Sequence, residues 1–193
     1  MRTKARHTQQ GDIACLGWGS LIWDPRTLPV RSEWCTDGPP VRADFIRKSA
    51  DGRITLVLHE SLPSVPSLWA IVDTDDPERA RTALGEREGI QPHRHSELIG
   101  LWHSNLEPPH GTITDLPAWA QAHNVRAVVW TKLAQNFHGD NSQRIATSDE
   151  IIAYLSELEG ETRDVAERYI RNAPHQIDTE IRRAIEARLG WTR

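Results

Sequence analysis

Long apolar runs, an excess of charge of one sign and metal-type cysteine spacing are all missing from this 193-residue sequence. No stretch approaches the roughly 18 to 20 consecutive apolar residues that a transmembrane helix needs, so we expect no membrane span. The formal net charge is −4 with both signs mixed, which gives no electrostatic support for binding nucleic acid. The two cysteines, Cys15 and Cys35, lack metal-ligand spacing, and so low a content favours a reduced, cytoplasmic protein.

Phenylalanine and tyrosine are also scarce, with two of each, whereas tryptophan occurs eight times. We expect most of these tryptophans in the core. The content of 38% hydrophobic and 26% charged residues is typical of a globular domain and excludes a disordered chain. The opening stretch MRTKARHTQQGD is basic without an apolar centre, so we interpret residues 1–11 as a flexible tail and not as a secretory signal.

Strand signals dominate the first two-thirds of the chain. Residues 12–17, DIACLG, form a short apolar run between turn signals, which predicts a buried strand. An Asp51-Gly52 turn between two apolar arms, residues 41–48 and 54–59, predicts a hairpin. Three further strands are predicted over residues 67–73, 96–104 and 125–133.

Helix signals are sparse before residue 140 and dense after it. Asp76-Pro77 predicts an N-cap and a first helical residue, with the helix ending near Leu84. A short helix is predicted after Thr114 as its cap. Later, Thr147 and Glu150 have the spacing of a capping box. Three helically periodic segments follow, over residues 147–160, 162–173 and 177–190.

The order of strands first and helices last favours an α+β fold. We expect a small, mostly antiparallel, partly closed β-barrel with flanking helices, over residues 12–140. Residues 141–193 are interpreted as a C-terminal helical extension packed on the same domain. The last helix alternates acidic with basic residues, which is more typical of a packed amphipathic helix than of a nucleic-acid reader. The oligomeric state is left open.

The stretch Gly17-Trp18-Gly19-Ser20 directly follows the first predicted strand. Glycines permit positive φ angles and close approach of a ligand to the backbone, and successive N–H groups in such a turn can bind a carboxylate. An ordinary tight turn explains the same residues. The dinucleotide fingerprint is excluded by the missing third glycine, and the G-x-S-x-G nucleophile elbow does not fit.

Residues 16–25, LGWGSLIWDP, resemble the signature loop of the gamma-glutamylcyclotransferase superfamily, which usually reads Y-G-S-L or Y-G-S-N. The loop is most similar to that of the ChaC-like, glutathione-degrading branch, with Trp18 in place of the usual tyrosine and Asp24 in place of asparagine. A second marker of the family, L-x-x-x-E-G, resembles LGEREG over residues 84–89. The two markers occur in the family's order, and the resemblance covers roughly residues 13–133.

The resemblance implies an enzyme in which the α-amine of a γ-glutamyl compound attacks its own γ-carbonyl. The products are 5-oxoproline and a free amine or peptide, and neither metal nor cofactor takes part. Glu88 would be the catalytic acid and base, and the substrate-binding residues would be Trp18, Gly19, Ser20 and Leu21. The partner would be a small γ-glutamyl molecule: glutathione, a γ-glutamyl amino acid or a γ-glutamyl amine. Trp18 lacks the hydroxyl group of the usual tyrosine, so the substrate specificity is left open.

That chemistry sets physical requirements. Holding the bent conformer for an intramolecular attack can contribute about 7–11 kcal/mol, and main-chain amides of the loop could grip the carboxylate or stabilise the oxyanion. One carboxylate can take the proton of the ammonium and later return it. Because a free glutamate is a weaker base than an α-amine by about 5 kcal/mol, we expect a water-poor, apolar pocket. The residues expected to form it are Trp18, Leu21, Ile22 and Trp23.

A second hypothesis assigns the chain the same fold but no catalytic activity. The chain would then bind a small carboxylate ligand or serve as an interaction domain. Glu88 favours the enzyme, although most glutamates in a stretch such as GEREG are solvated, and Glu86 is its nearest competitor.

Other residues suggest weaker alternatives. His93, His95 and Glu97 would share one face of an extended segment and could hold a metal, although such histidines are more often ordinary surface or core residues. Ser20 has no evident histidine or aspartate partner for a triad. Cys15 is expected to be a buried, inert thiol. Two residues that could line the pocket rim are Asn136 and His138.

Overall fold

The computed structural model describes residues 11–139, 142 and 144–193. The predicted N-terminal tail lies outside the described residues, apart from Gly11. Over the described residues the fold is α+β, as predicted, with seven strands, six α-helices and one short 3-10 turn over Pro92–Arg94. The longest helix there has 13 residues, and none in the described part is long and apolar enough to cross a membrane.

The larger sheet has four strands in the order β5-β1-β7-β6. The central pair, β1 and β7, is parallel, and the two outer pairings are antiparallel. Because β1 and β7 run the same way, the segments that follow them leave the sheet at one edge. The strand bounds are β1 Asp12–Gly17, β5 Leu68–Val72, β6 Ile99–His103 and β7 Val125–Thr131.

The smaller sheet contains β2 (Pro40–Lys48), β3 (Ile54–Leu58) and β4 (Ser64–Pro66), in the order β3-β2-β4 and antiparallel throughout. Strands β2 and β3 form the predicted hairpin, and Gly52 in its turn has a φ of +83°, a conformation that favours glycine. The three-residue β4 was not predicted, since it is too short to show an alternating pattern.

Three of the six α-helices of the described residues begin at a side-chain cap. Asp76 caps the first helix by accepting from the amide of Glu78 at 2.9 Å, and the Thr147–Glu150 capping box is present. The helix bounds are α1 Pro77–Arg87, α2 His95–Leu98, α3 Leu116–Ala122, α4 Ser148–Ser156, α5 Gly160–Asn172 and α6 Glu180–Leu189.

Three local predictions were wrong. The first helix does not end near Leu84 but continues to Arg87. The cap of α3 is Asp115, in a left-handed conformation, and not Thr114. Residues 95–98, placed mostly in a strand, are helical, and β6 starts only at Ile99.

The core lies on both sides of the four-stranded sheet. On one face Ile13 and Cys15 pack with Leu84 of α1. On the other face Ala14 and Leu16 join a larger cluster that spans the smaller sheet and the C-terminal helices. Six of the eight tryptophans are buried, as expected. Strand β1 is therefore covered on both faces, which fixes the loop that follows it.

Asp44 is a buried carboxyl group that links β2 to the start of α6. Its side chain is 3% exposed and accepts a hydrogen bond from the amide of Phe45 at 2.8 Å. Burial raises the pKa of Asp44 from 3.8 to about 6, against opposing hydrogen bonds from the Thr179 side chain and the Ile181 backbone. The folded state thus binds a proton that the unfolded state has already lost.

The free energy of unfolding should therefore fall as the pH rises past this group. A raised pKa stabilises the fold fully below pH 3.8, and this contribution is lost as the pH rises through about 6. Between pH 5 and pH 7 we expect a loss of about 1 kcal/mol in the free energy of unfolding. Urea titrations at both pH values measure it. The Asp44→Asn variant should remove this slope, and an equal slope in both proteins would contradict the assignment.

Candidate active site

A cavity of about 150 Å³ opens where β1 and β7 end. The loop after β1, residues 17–21, forms one wall, and Thr131 at the end of β7 lies beside it. The end of α1 supplies Glu88, and α5 supplies Tyr169. The β2–β3 hairpin closes the remaining side. The two sequence motifs, far apart in the chain, thus line one cavity.

The loop is a tight turn with unused donors. The amide of Ile22 donates to the carbonyl of Gly19 at 3.1 Å, and that of Asp24 to Ser20 at 2.8 Å. The first amides of the turn, those of Gly19, Ser20 and Leu21, donate to no acceptor within the described residues. Buried amides normally have a partner, so these three are suited to an anionic or carbonyl ligand. Trp18, 3% exposed, lines the cavity with them.

The glycines of this loop are explained by close contacts with aromatic side chains and not by the expected positive φ angles. Neither Gly17 nor Gly19 has a positive φ, so backbone conformation does not require them. A Cβ added to Gly19 would lie 2.5 Å from the hydroxyl oxygen of Tyr169, and one added to Gly17 would lie 2.7 Å from the Trp34 ring. Glycine is needed because aromatic side chains approach the backbone closely.

Glu88 is the C-cap of α1, and a Schellman motif ends the helix there. The amide of Gly89 donates to the carbonyl of Glu86 at 3.0 Å, and that of Ile90 to Gly85 at 2.9 Å. Gly89 has a φ of +69°, which this motif requires. The Glu88-Gly89 pair therefore ends helix α1, and this places the Glu88 side chain against the cavity. That side chain is 17% exposed.

Arg87 connects Glu88 to the loop. Its side chain is 3% exposed, and its Nη1 donates to Glu88 Oε1 at 2.6 Å. Its Nη2 donates to Ser20 Oγ at 3.4 Å, and its Nε to the carbonyl of Asp24 at 3.2 Å. One guanidinium therefore fixes the carboxylate and the turn relative to each other. A role for Arg87 was not predicted from the sequence, although it stands beside Glu88 in the LGEREG stretch.

Tyr169 of α5 brings a hydroxyl into the cavity wall. This hydroxyl accepts from the amide of Leu56 at 3.3 Å, and the ring packs edge-on against Trp23 with centroids 5.4 Å apart. Burial raises the pKa of Tyr169 to about 12, so the hydroxyl keeps its proton and can donate it. Nothing in the sequence of α5 distinguishes this tyrosine from a core residue.

The hairpin wall is basic and hydroxylated. Strand side chains alternate between faces, and four of the hairpin residues that line the cavity follow this alternation: Arg47, Ser49, Arg53 and Thr55. Leu56 and Val57 of β3 line the cavity as well. The bulge in the pairing between Phe45 and Arg47 redirects the end of β2. These four residues were also missed, because a hairpin sequence alone does not tell which face is turned to a site.

The expected apolar pocket is present only in part. Trp18 and Leu21 line the cavity, but Ile22 and Trp23 do not. Four other apolar side chains also line it, those of Leu16, Leu56, Val57 and Leu133. Three arginines and a glutamate from the hairpin and the end of α1 share the wall with them, and one of these arginines, Arg87, pairs with Glu88.

The competing residues lie elsewhere. Glu86 is exposed and outside the cavity lining, which leaves Glu88 as the glutamate that lines the cavity. Asn136 pairs with the backbone of Lys48, and neither it nor His138 lines the cavity. Cys15 is fully buried, and burial raises the pKa of its thiol. The Ser20 hydroxyl accepts from Arg87 and has no histidine partner among the described residues.

The histidine segment does not form the extended face that was considered. It is helical, and His95 is buried against Gly85, where its Nε2 lies 2.8 Å from the carbonyl of Ile90. Glu97 pairs with Arg94. Within the described residues no group of three histidine, cysteine, aspartate or glutamate side chains could hold a metal ion.

Comparisons with protein-family models, with curated proteins and with solved structures give no match to this chain.

Proposed function

We propose that this chain is an enzyme of gamma-glutamylcyclotransferase type, which releases 5-oxoproline and a free amine or peptide from a γ-glutamyl compound. The observation that supports this proposal is the shared cavity. The loop of residues 17–21 and Glu88 were identified as separate motifs in the sequence, and both line it. A cytoplasmic location belongs to the same proposal and rests on the low cysteine content.

The partly closed barrel expected for such an enzyme is also part of the proposal. Its support comes from contacts at the sheet edges. Single bridges join Cys35 to Trp69 of β5 and Val41 of β2 to Ile113. The larger core cluster fills the space between the two sheets.

The substrate would be bound by its charged end. Its α-carboxylate would accept from the amides of Gly19, Ser20 and Leu21, which donate to nothing else in the described chain. Its α-ammonium would lie beside Glu88, at the carbonyl end of α1, where the helix dipole favours a positive charge. This grip curls the glutamyl chain so that the amine reaches the γ-carbonyl, and that proximity supplies much of the rate enhancement.

Proton transfer then runs through one carboxylate. Glu88 takes a proton from the α-ammonium, and the neutral amine attacks the γ-carbon to form the new C–N bond. The resulting oxyanion accepts from loop amides or from the Tyr169 hydroxyl. The bond to the leaving nitrogen breaks as Glu88 returns the proton to it. The second proton of the ring nitrogen then passes through Glu88 to the released amine, which leaves as an ammonium. One C–N bond forms and another breaks, with no water consumed.

A guanidinium beside Glu88 would assist deprotonation of the substrate. Arg87 Nη1 donates to Glu88 Oε1 at 2.6 Å, so a substrate amine next to Glu88 would also lie close to this positive charge. Because like charges favour the neutral form, the amine would become easier to deprotonate.

A direct assay tests the proposal. Purified protein is incubated with glutathione, several γ-glutamyl amino acids and γ-glutamyl amines, and 5-oxoproline is measured by mass spectrometry against heat-denatured protein. We expect 5-oxoproline and the free amine in equal amounts from at least one compound. If calorimetry detects binding while no compound is cyclised, the non-catalytic alternative is correct and the proposed reaction is wrong.

A further inference from the structure

We propose that Tyr169 of α5 is a further catalytic residue, whose hydroxyl group donates a hydrogen bond to the γ-carbonyl oxygen as this oxygen becomes negatively charged. This inference rests on the proposed function and deepens it, because the reaction by itself leaves the donor to the oxyanion open between the loop amides and this hydroxyl. Tyr169 also lies outside residues 13–133, the part of the chain that the family resemblance covers. The resemblance therefore gives this tyrosine no role.

The proton of the Tyr169 hydroxyl has no acceptor among the described residues. The hydroxyl oxygen accepts from the amide of Leu56 at 3.3 Å, and no other hydrogen-bond partner of this oxygen lies within the described part of the chain. Because the amide occupies one side of the oxygen, the O–H bond points to another side. Buried polar groups normally use their hydrogen-bonding capacity, and Tyr169 is 5% exposed and lines the cavity. Its proton is therefore available to a ligand in the cavity.

The Tyr169 hydroxyl lies between the two motifs. Its oxygen is 2.5 Å from the position that a Cβ on Gly19 would take, and Gly19 is the first of the three loop residues with a free amide in the described chain. Burial is the main cause that raises the pKa of Tyr169 to about 12, and the negative charge of Glu88 contributes to the rise. The hydroxyl is thus close to both the loop and the acid–base residue.

The ring of Tyr169 is fixed by its neighbours. Trp23 and Phe45 pack edge-on against it, with ring centroids 5.4 and 6.4 Å away. The guanidinium carbon of Arg53 lies 5.3 Å from the ring centre, and Arg53 is itself held by an ion pair with Asp51 at 2.7 Å. A donor that is fixed before the reaction needs no reorganisation when charge develops on the substrate, and this makes its stabilisation of the oxyanion effective.

The chemistry of a γ-glutamyl group assigns the hydroxyl to the γ-carbonyl. The α-ammonium has no lone pair to accept with and would lie beside Glu88, whereas the α-carboxylate would take the loop amides. The γ-carbonyl oxygen remains, and it gains a full negative charge only when the amine attacks. A neutral hydroxyl therefore binds this oxygen more strongly in the transition state than in the bound substrate. Such an interaction raises kcat and changes the affinity for the substrate little.

Removing the hydroxyl group tests this inference. In the Tyr169→Phe variant we expect kcat to fall about 100-fold for the compound of the panel that is cyclised fastest, the loss typical of one oxyanion donor. The dissociation constant should change by less than about 3-fold, because the bound substrate loses little. Calorimetry on the Glu88→Gln protein, with and without Tyr169→Phe, measures this constant in the absence of turnover.

The other tyrosine of the chain provides the matched control. Tyr154 is the only tyrosine besides Tyr169, its hydroxyl donates to the carbonyl of Gly52 at 2.8 Å, and it does not line the cavity. Tyr154→Phe loses one buried hydrogen bond of similar kind, so it should keep the wild-type kcat. Phenylalanine fills nearly the same space as tyrosine at both positions, and circular dichroism checks that both variants are folded.

The outcomes separate this inference from the proposed reaction. A wild-type protein that cyclises no compound of the panel refutes both. If the wild type is active and the folded Tyr169→Phe protein keeps its kcat, the reaction stands and the role of Tyr169 is wrong. A dissociation constant that rises by about 10-fold or more while kcat is kept would also overturn the inference, since a loss of that size indicates a hydrogen bond to the charged carboxylate. An equal fall of kcat in Tyr154→Phe would mean that the effect is structural.

Discussion

Replacing Glu88 by glutamine should lower the rate of 5-oxoproline formation by roughly 100-fold to 10,000-fold, the usual contribution of a general acid–base group. Glutamine keeps the length of the side chain and can still accept from Arg87 Nη1, which now donates to Glu88 Oε1. It cannot take a proton from the α-ammonium. Single-turnover assays with mass-spectrometric detection of 5-oxoproline measure the loss.

The neighbouring glutamate provides the control for this experiment. Glu86 lies two residues earlier on the same helix, is exposed and stands outside the cavity lining. Glu86→Gln should therefore retain the wild-type rate. Thermal unfolding followed by circular dichroism checks that both variants are folded. A folded Glu88→Gln protein with normal turnover would remove this carboxylate from the mechanism.

Alanine at Gly19 should both destabilise the protein and disable the cavity. The new Cβ would lie 2.5 Å from the Tyr169 hydroxyl oxygen, a distance that forces the ring or the loop to move. Overpacking of this kind costs about 1–3 kcal/mol in the free energy of unfolding. The same displacement would turn the amides of Ser20 and Leu21 away from the substrate, so we expect turnover to fall by more than 10-fold. Urea unfolding and the 5-oxoproline assay measure the two effects.

A second substitution tests whether this contact is the cause. Tyr169→Phe removes the oxygen atom that the new Cβ would meet. In the double variant Gly19→Ala/Tyr169→Phe, the free energy of unfolding should therefore fall by less than the sum of the two single losses. Strictly additive losses would mean that Gly19 is required for another reason.

The two motifs that line the cavity could be identified in the sequence because each consists of contiguous residues. The Trp18-Gly19-Ser20 turn and Glu88 each belong to a short motif, and local rules also explain why the chain turns at both places. The hairpin with its Asp51-Gly52 turn and the Thr147 capping box were predicted for the same reason. Signals of this kind depend on neighbours within four or five residues.

The rest of the site depends on long-range packing. Tyr169 belongs to a helix that meets the loop more than a hundred residues away in sequence, and only the folded chain brings its hydroxyl to Gly19. Arg53 could face either side of the hairpin until the register is known. Ile22 and Trp23 were wrongly expected to line the pocket with Trp18 and Leu21, since the direction of their side chains depends on how the turn packs.

The contribution of α5 to the cavity wall has a consequence for synthesis in the cell. Proteins emerge from the ribosome with the N-terminus first, and their early portions begin to fold before the chain is complete. A nascent chain that has reached only β7 would already carry the loop and Glu88, but it would lack the tyrosine that covers them. The cavity wall would therefore be complete only after α5 has also emerged and packed against the loop, so the proposed binding of a ligand would not precede the folding of α5.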